Sequence, residues 1–240
     1  GLRLYFGKLF STDYFACGRD AGIYLFGKKS VDSGKVIILP NAIDYGRFKY
    51  DVEKREDIRN KNNVNESTVV IGHVGRFFKQ KNHEFLIDIF KEIYLLNKNT
   101  KLVLIGDGPL ISQEKEKVLS LGLEENVIFL GNRNDVFDLY NAFDCFVLPS
   151  RFEGLGIVII EAQASGLRCY VSDVVPKEVK VTDLVSFISL EKSPSVWSNI
   201  INENKKISRK NLINDLKKSG YDINIEINIL ENIYLKILER

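Results

Sequence analysis

Methionine is absent from the 240 residues, histidine occurs twice, cysteine three times and proline five times. The shortage of cysteine excludes a disulfide-stapled fold. Cys17, Cys145 and Cys169 are odd in number and far apart, and two of them sit in apolar runs. They read as small buried hydrophobes in a reducing compartment. With only His73 and His83 and no Cys-x-x-Cys, a structural zinc site is disfavoured. No apolar run approaches the roughly 18 residues of a membrane-spanning helix, and no signal peptide is visible. An excess of one charge is missing too: 34 Lys and Arg against 32 Asp and Glu leave a net +2, spread along the chain. That gives no case for nucleic acid or an anionic membrane. No Gly-x-Gly-x-x-Gly stands at a strand-to-helix turn, which disfavours nicotinamide binding. Gly-x-x-x-x-Gly-Lys-Ser/Thr is lacking as well, which argues against a P-loop nucleotidase. The want of methionine and the start at Gly1 suggest a processed or cut chain.

What is present is an alternation of strands and helices. Val69 to Val74 is a β-branched run, followed by a helical stripe over Glu84 to Leu96 at Phe85, Leu86, Ile89, Phe90, Ile93 and Leu96. Lys101 to Ile105 is a strand stopped by Gly106-Asp107-Gly108-Pro109, a turn by composition. A helix over Ile111 to Leu121 ends at Gly122. Strands at Asn126 to Leu130 and Cys145 to Leu148 flank a short helix at Val136 to Phe143. A helix through Ala164, then strands at Cys169 to Ser172 and Leu184 to Ile188, complete the series. Strands this apolar on both faces predict an α/β, Rossmann-like parallel sheet with helices on both faces. Residues 1–44 hold a strand, a helix and another strand, too little for a domain alone. Residues 45–66 read as a charged connector plus a short helix, and the chain is helical from Val196 onward.

Three loops follow strands and so share the carboxyl edge, where open parallel sheets bind ligands. Gly75-Arg76-Phe77-Phe78-Lys79-Gln80-Lys81-Asn82 opens a helix, and Arg76 and Lys81 are in place for a phosphate. A solvated basic loop is the plainer reading of the same residues. Gly131-Asn132-Arg133 offers backbone to a nucleotide, or is a polar loop. Asp107 reads first as a turn carboxylate bonding nearby N–H groups, ahead of ligand contact. His73 reads as a hydrogen-bonded core residue and His83 as a helix-start residue. The third loop, Phe152-Glu153-Gly154-Leu155-Gly156, places a glycine turn and a helix start between Glu153 and Glu161. Free N–H groups at such a start favour an anion such as phosphate. Two exposed carboxylates are the bland alternative; their co-location with the basic loop tips the balance.

Gly75-Arg76 with Lys81-Asn82, Gly106-Asp107-Gly108 and, above all, Glu153 and Glu161 within Pro-Ser-Arg-Phe-Glu-Gly-Leu-Gly-Ile-Val-Ile-Ile-Glu-Ala-Gln-Ala-Ser-Gly resemble the donor half of a retaining glycosyltransferase. The family is the GT-B group called family 4, especially its capsular and exopolysaccharide transferases. The resemblance runs from about Tyr14 to the C-terminus. It implies that Arg76 and Lys81 neutralise the donor diphosphate, that Gly75, Gly131, Asn132 and Arg133 line the donor pocket, and that Glu161 binds ribose hydroxyls. Glu153 would contact the transferred sugar at the reacting centre, and backbone N–H groups of Leu155, Gly156 and Ile157 would hold phosphate. No metal and no cofactor is implied, and no Asp-x-Asp occurs. The leaving diphosphate would then rely on cations and a helix terminus. One departure stands: the family's Gly-x-Pro after the Glu161 helix is Gly166-Leu167-Arg168 here, without proline's fixed φ.

The expected organisation is thus a remnant of an acceptor domain at 1–44, a nucleotide-sugar binding domain at 45–221 and a C-terminal helix at 222–240. The expected partners are a nucleotide-diphosphate sugar, with UDP favoured by the family alone, and a saccharide or lipid-linked acceptor. The acceptor would bind through a missing N-terminal domain, so that the piece is inactive by itself. The expected place is the cytoplasm, at the inner face of the membrane if associated with it. A nucleotide-sugar epimerase of GT-B fold shares the architecture. So does a glycoside phosphorylase, whose pyridoxal-bearing lysine is not found. A non-catalytic nucleotide-binding module and a structural interaction domain are the non-enzyme alternatives.

Overall fold

The computed structural model describes residues 11–203, 209 and 212–239. Expectations for residues 1–10, 204–208, 210, 211 and 240 lie outside the described residues. In chain order the elements are β1 (Tyr14–Ala16), α1 (Arg19–Phe26), α2 (Lys28–Asp32), β2 (Val36–Ile38), α3 (Tyr45–Phe48), α4 (Val52–Lys61), β3 (Val69–Val74), α5 (His83–Leu96), β4 (Thr100–Ile105), α6 (Ile111–Ser120), β5 (Val127–Gly131), α7 (Val136–Leu139), β6 (Cys145–Leu148), α8 (Ile157–Ala164), β7 (Arg168–Ser172), β8 (Val185–Ile188), α9 (Pro194–Glu203), α10 (Ile213–Lys217) and α11 (Ile223–Leu238). The chain divides into two compact units, Tyr45–Asp215 and the remainder, so that the stretch from Leu216 groups with the residues up to Asp44.

In the larger unit six parallel strands lie in the order β5-β4-β3-β6-β7-β8. The chain starts at β3, runs outward to β5, then returns to β6 and runs the other way. The order therefore reverses between β3 and β6, where a crevice opens at the carboxyl ends of the strands. Successive strand residues alternate between two cores. Ile71, Leu102, Leu104, Cys145 and Val147 pack with α5, α6 and α9 around Phe90 and Trp197. Val70, Val103, Ile105, Phe146 and Leu148 pack with α7 and α8 on the other face, around Tyr140 and Ile159. Two apolar faces per strand are what a covered parallel sheet requires, and the structure has the expected Rossmann-like sheet with helices on both sides.

Two local expectations are corrected. The helix expected over Val136 to Phe143 is one α-turn to Leu139 followed by a 3₁₀ turn at Tyr140–Ala142. Residues 45–66 hold two helices, and α4 has almost no apolar stripe to reveal it. Asp51 caps it, its Oδ1 accepting from the N–H groups of Glu53 at 2.9 Å and Lys54 at 3.1 Å. Its anchorage is ionic: Arg55 donates to Asp144 Oδ1 at 2.6 Å, and Arg59, 3% exposed, donates to Thr68 O and Ala142 O. Arg209 adds its guanidinium to the carbonyls of Tyr140, Asn141, Phe143 and Ser165. Three guanidinium groups thus close the open carbonyl end of the 3₁₀ turn, which has no helical continuation to satisfy it.

In the smaller unit β1 and β2 pair in parallel, with Phe15 opposite Ile37, over a small core of Ala16, Val31 and Val36. Ile43 bonds across to the start of α11, its N–H donating to Tyr221 O at 2.9 Å and its carbonyl accepting from Ile223 N–H at 3.1 Å. Asp222 caps α11 through Asn224 N–H at 3.0 Å.

Candidate functional site

The loops after β3 and β6 meet at the point where the strand order reverses. Arg151 N–H donates to Gln80 O at 2.7 Å, and Asn82 Nδ2 donates to Pro149 O at 3.1 Å. Asn82 takes a left-handed conformation, φ 58° and ψ 45°, which places it as the N-cap of α5 and starts that helix at His83. The β3 loop is pressed from behind by the loop after β4. A Cβ at Gly106, where φ is 135°, would fall 2.2 Å from Gly75 O, so only glycine fits. Asp107 is a turn residue here: Gly108 N–H donates to its carboxylate at 2.7 Å and Phe77 N–H to its carbonyl at 3.0 Å.

Between the stitched loops Lys81 and Glu153 form an ion pair, Nζ to Oε1 at 2.7 Å, with side chains 15% and 5% exposed. The same Glu153 oxygen accepts from Ser150 Oγ at 2.6 Å, while Gln80 Nε2 stands 3.5 Å from Oε2. Two residues singled out separately, one as a phosphate cation and one beside the sugar, are therefore partners of each other. Arg76 is exposed and lies with its guanidinium 5.0 Å from the centre of the Phe78 ring. Gly75 follows the last residue of β3 and its N–H donates to Ile105 O at 2.9 Å.

Gly156, φ 84° and ψ 49°, is the N-cap of α8 and carries no side chain to cap it. The first-turn N–H groups of a helix have no intrahelical acceptor; Ile159 bonds back to Gly156 O at 2.9 Å. The N–H groups from Leu155 to Ile157 precede that bond. One helical turn on, Glu161 is half-buried and accepts from the Tyr140 hydroxyl at 2.8 Å. Burial raises the Glu161 carboxyl above the usual carboxylate range, and the Tyr140 hydrogen bond only partly opposes it. Gly131 ends β5 with φ 64° and accepts from Gly106 N–H at 2.9 Å; Asn132 and Arg133 are exposed. Arg133 makes a two-pronged ion pair with Asp135 at 2.8 and 2.6 Å.

His73 is fully buried with Nδ1 donating to Val147 O at 2.8 Å, and His83 is buried against Phe77 with ring centres 4.0 Å apart. Burial depresses His73 to about 4 and His83 to about 2, so both are neutral. Among the described residues no three His, Cys, Asp or Glu side chains are grouped to hold a metal ion, and no helix is long and apolar enough to cross a membrane. Sequence reasoning passed over Ser150, Gln80 and Tyr140. Ser150 and Gln80 stood inside quoted stretches and Tyr140 did not; that Gln80 and Tyr140 reach partners 73 and 21 residues away is not conveyed by spacing.

Known proteins give the site its context. The chain is 36% identical to a protein named as a glycosyltransferase, EpsF of Bacillus subtilis, over 228 residues that make 93% of this chain and 59% of EpsF. It is 27% identical to the Escherichia coli UDP-Gal:alpha-D-GlcNAc-diphosphoundecaprenol alpha-1,3-galactosyltransferase, over 87% of this chain and 56% of that protein. The chain therefore spans little more than half the length of these relatives. Among solved structures, Anabaena HepE in complex with UDP and glucose superposes with a TM-score of 0.78 at 20% identity, over 97% of this chain and 66% of that one. WaaG, a glycosyltransferase involved in lipopolysaccharide biosynthesis, does so with 0.65 at 25% identity, over 78% and 51%. The profile of the group 1 glycosyl transferases matches residues 54–219, most of the chain and all of the crevice just described, and the chain belongs to that family.

Proposed function

We propose that this chain is the donor-binding portion of a retaining, family 4 glycosyltransferase that moves a sugar from a UDP-sugar to a saccharide or lipid-linked acceptor. The observation that carries this reading is the meeting of the Lys81 loop, the Glu153 loop and the uncapped start of α8 where the strand order reverses. Cations and helix N–H groups there suit a diphosphate, and acceptors one turn along α8 suit hydroxyls. In this reading the diphosphate lies against Leu155, Gly156 and Ile157, Arg76 swings from Phe78 to meet it, and Lys81 divides its charge between phosphate and Glu153. Glu161, fixed by Tyr140, accepts from the ribose, and Glu153, fixed by Ser150, faces the sugar. Developing negative charge on the leaving diphosphate is stabilised by groups already in place, without a metal. The name of the E. coli relative, which couples a UDP-sugar with a lipid-linked saccharide, supports both substrate classes.

Calorimetry with UDP, GDP and ADP tests the reading. UDP should bind the parent, and Arg76→Ala should cost about 1.5–3 kcal/mol, the worth of a charge-assisted bond. Glu161→Ala should weaken UDP with little change in thermal midpoint. Equal UDP affinity in parent and both variants would overturn the site. The 240 residues alone should show no transfer to added acceptors, and robust turnover would refute the assignment to a donor portion.

A further inference from the structure

Glu153 is a carboxylate built into the wall of a crevice suited to anions. Its stem runs beside the start of α8, since a Cβ placed on Gly156, the N-cap, would stand 3.6 Å from Glu153 Cγ and 3.8 Å from Glu153 Cβ. Its Oε1 is held twice, by Lys81 Nζ at 2.7 Å and by Ser150 Oγ at 2.6 Å, and Ser150 is itself fully buried with its carbonyl accepting from Ser172 Oγ. The carboxylate is thus fixed against the helix start and is not free to turn away from an anion bound there. Lys81 is engaged in turn by Glu153, and Arg133 by Asp135, whereas Arg76 lies over the Phe78 ring. Two of the three cations expected to line the donor pocket are therefore already matched by carboxylates.

A nucleotide-sugar and the nucleotide it leaves behind differ in charge. In the sugar-bearing form the terminal phosphate is a diester with one ionisation. Transfer breaks the bond between the sugar C1 and the terminal phosphate oxygen, and the bonding pair stays with that oxygen. C1 gains a bond to the acceptor oxygen, whose proton ends in water near neutrality. The terminal phosphate, no longer esterified, acquires a second ionisation at about pH 6. In the donor reading its free end faces Glu153, because the sugar that covered it sat there. While the sugar is present it stands between the two anions; its departure leaves them facing.

We propose that Glu153 is a specificity residue that sets the crevice against the bare nucleoside diphosphate, by withholding Lys81 and by facing the terminal phosphate. The sugar-bearing donor is favoured over the product by a repulsive element rather than by an added contact. This rests on the donor function proposed above. The repulsion between a fixed carboxylate and one extra phosphate charge, partly screened and weakened by Lys81, is on the order of a tenfold change in affinity.

Calorimetry on the 240-residue chain tests this with UMP, UDP and the methyl ester of UDP, above the second phosphate ionisation. The ester keeps the terminal phosphate at one charge, as in the donor, without committing to a sugar. The parent should bind the ester several-fold tighter than UDP although the ester offers less charge to the cations. Glu153→Gln should tighten UDP about tenfold, reverse that order, and leave UMP, which lacks the terminal phosphate, unchanged. A parent that prefers UDP to its ester overturns the proposal and leaves the donor site standing. So does a folded Glu153→Gln variant whose UDP affinity is unchanged, or which loses affinity for all three ligands alike, as a merely structural Glu153 would give. Should that variant not fold, the order of ester and UDP in the parent decides alone. A parent that binds none of the three overturns the UDP reading and this proposal together.

Discussion

Replacing Lys81 by methionine removes the ammonium from a pair whose carboxylate is 5% exposed. Glu153 then keeps Ser150 at 2.6 Å and a long approach from Gln80 at 3.5 Å, too little to replace both water and a cation. Breaking a buried pair by removing one partner costs about 3–5 kcal/mol; the partial exposure of Lys81 puts the expected loss at the lower end. For a unit of this size each kcal/mol moves the thermal midpoint by about 2–4 °C, so Lys81→Met should fall by roughly 10 °C in far-ultraviolet circular dichroism. Glu153→Gln keeps the Ser150 bond and leaves the charge on the more accessible side, at about 1–3 kcal/mol. The double variant has no buried charge, so its loss should be smaller than that of Lys81→Met alone. A single-variant loss below about 1 kcal/mol, or losses that simply add, would refute the account of Lys81 and Glu153 as a buried, mutually dependent ion pair. Because both changes touch stability, UDP affinity must be compared in variants whose folding has been measured, the double variant above all.

Asp144→Ala should cost about 2–4 kcal/mol, since it leaves Arg55 and the buried Arg59 without their carboxylate and Val70 N–H without its 2.7 Å acceptor; an unchanged thermal midpoint would contradict it. Acid should destabilise the larger unit. Unfolded histidines bind protons near 6.5 but the native rings resist to about 4 for His73 and about 2 for His83. The unfolded state therefore holds more protons in this window, and stability falls as pH drops below 6.5 by about 1.4 kcal/mol per unit for each histidine. His83→Phe, which preserves the stack on Phe77, should reduce that slope in urea titrations; an identical slope would contradict the assignment.

The strands and helices of the sheet were legible because both faces of every strand are apolar and each element ends on a glycine, proline or polar cluster. From Val69 to Val74 the reading matched residue for residue. Helix α4 was only partly legible, as its hold on the sheet is through guanidinium groups rather than an apolar stripe, and ionic anchorage leaves no period. The three loops of the crevice could be placed on one edge because each follows a strand of a parallel sheet. Which side chains face one another there could not: Lys81 and Glu153 are 72 residues apart, and only the closing of β6 beside β3 brings them together.

The guanidinium of Arg209 has a consequence for anyone preparing a shorter piece of this chain. It grips the carbonyl of Tyr140, the residue whose hydroxyl holds Glu161, and that of Ser165, just beyond the end of α8. A version trimmed after the last turn of α9 would keep every strand of the six-stranded sheet, yet would cut one of the cords that hold the Glu161 carboxylate in place. Trimming there should loosen the binding crevice before it loosens the sheet, so the C-terminal cut of a minimal binding piece belongs beyond residue 209.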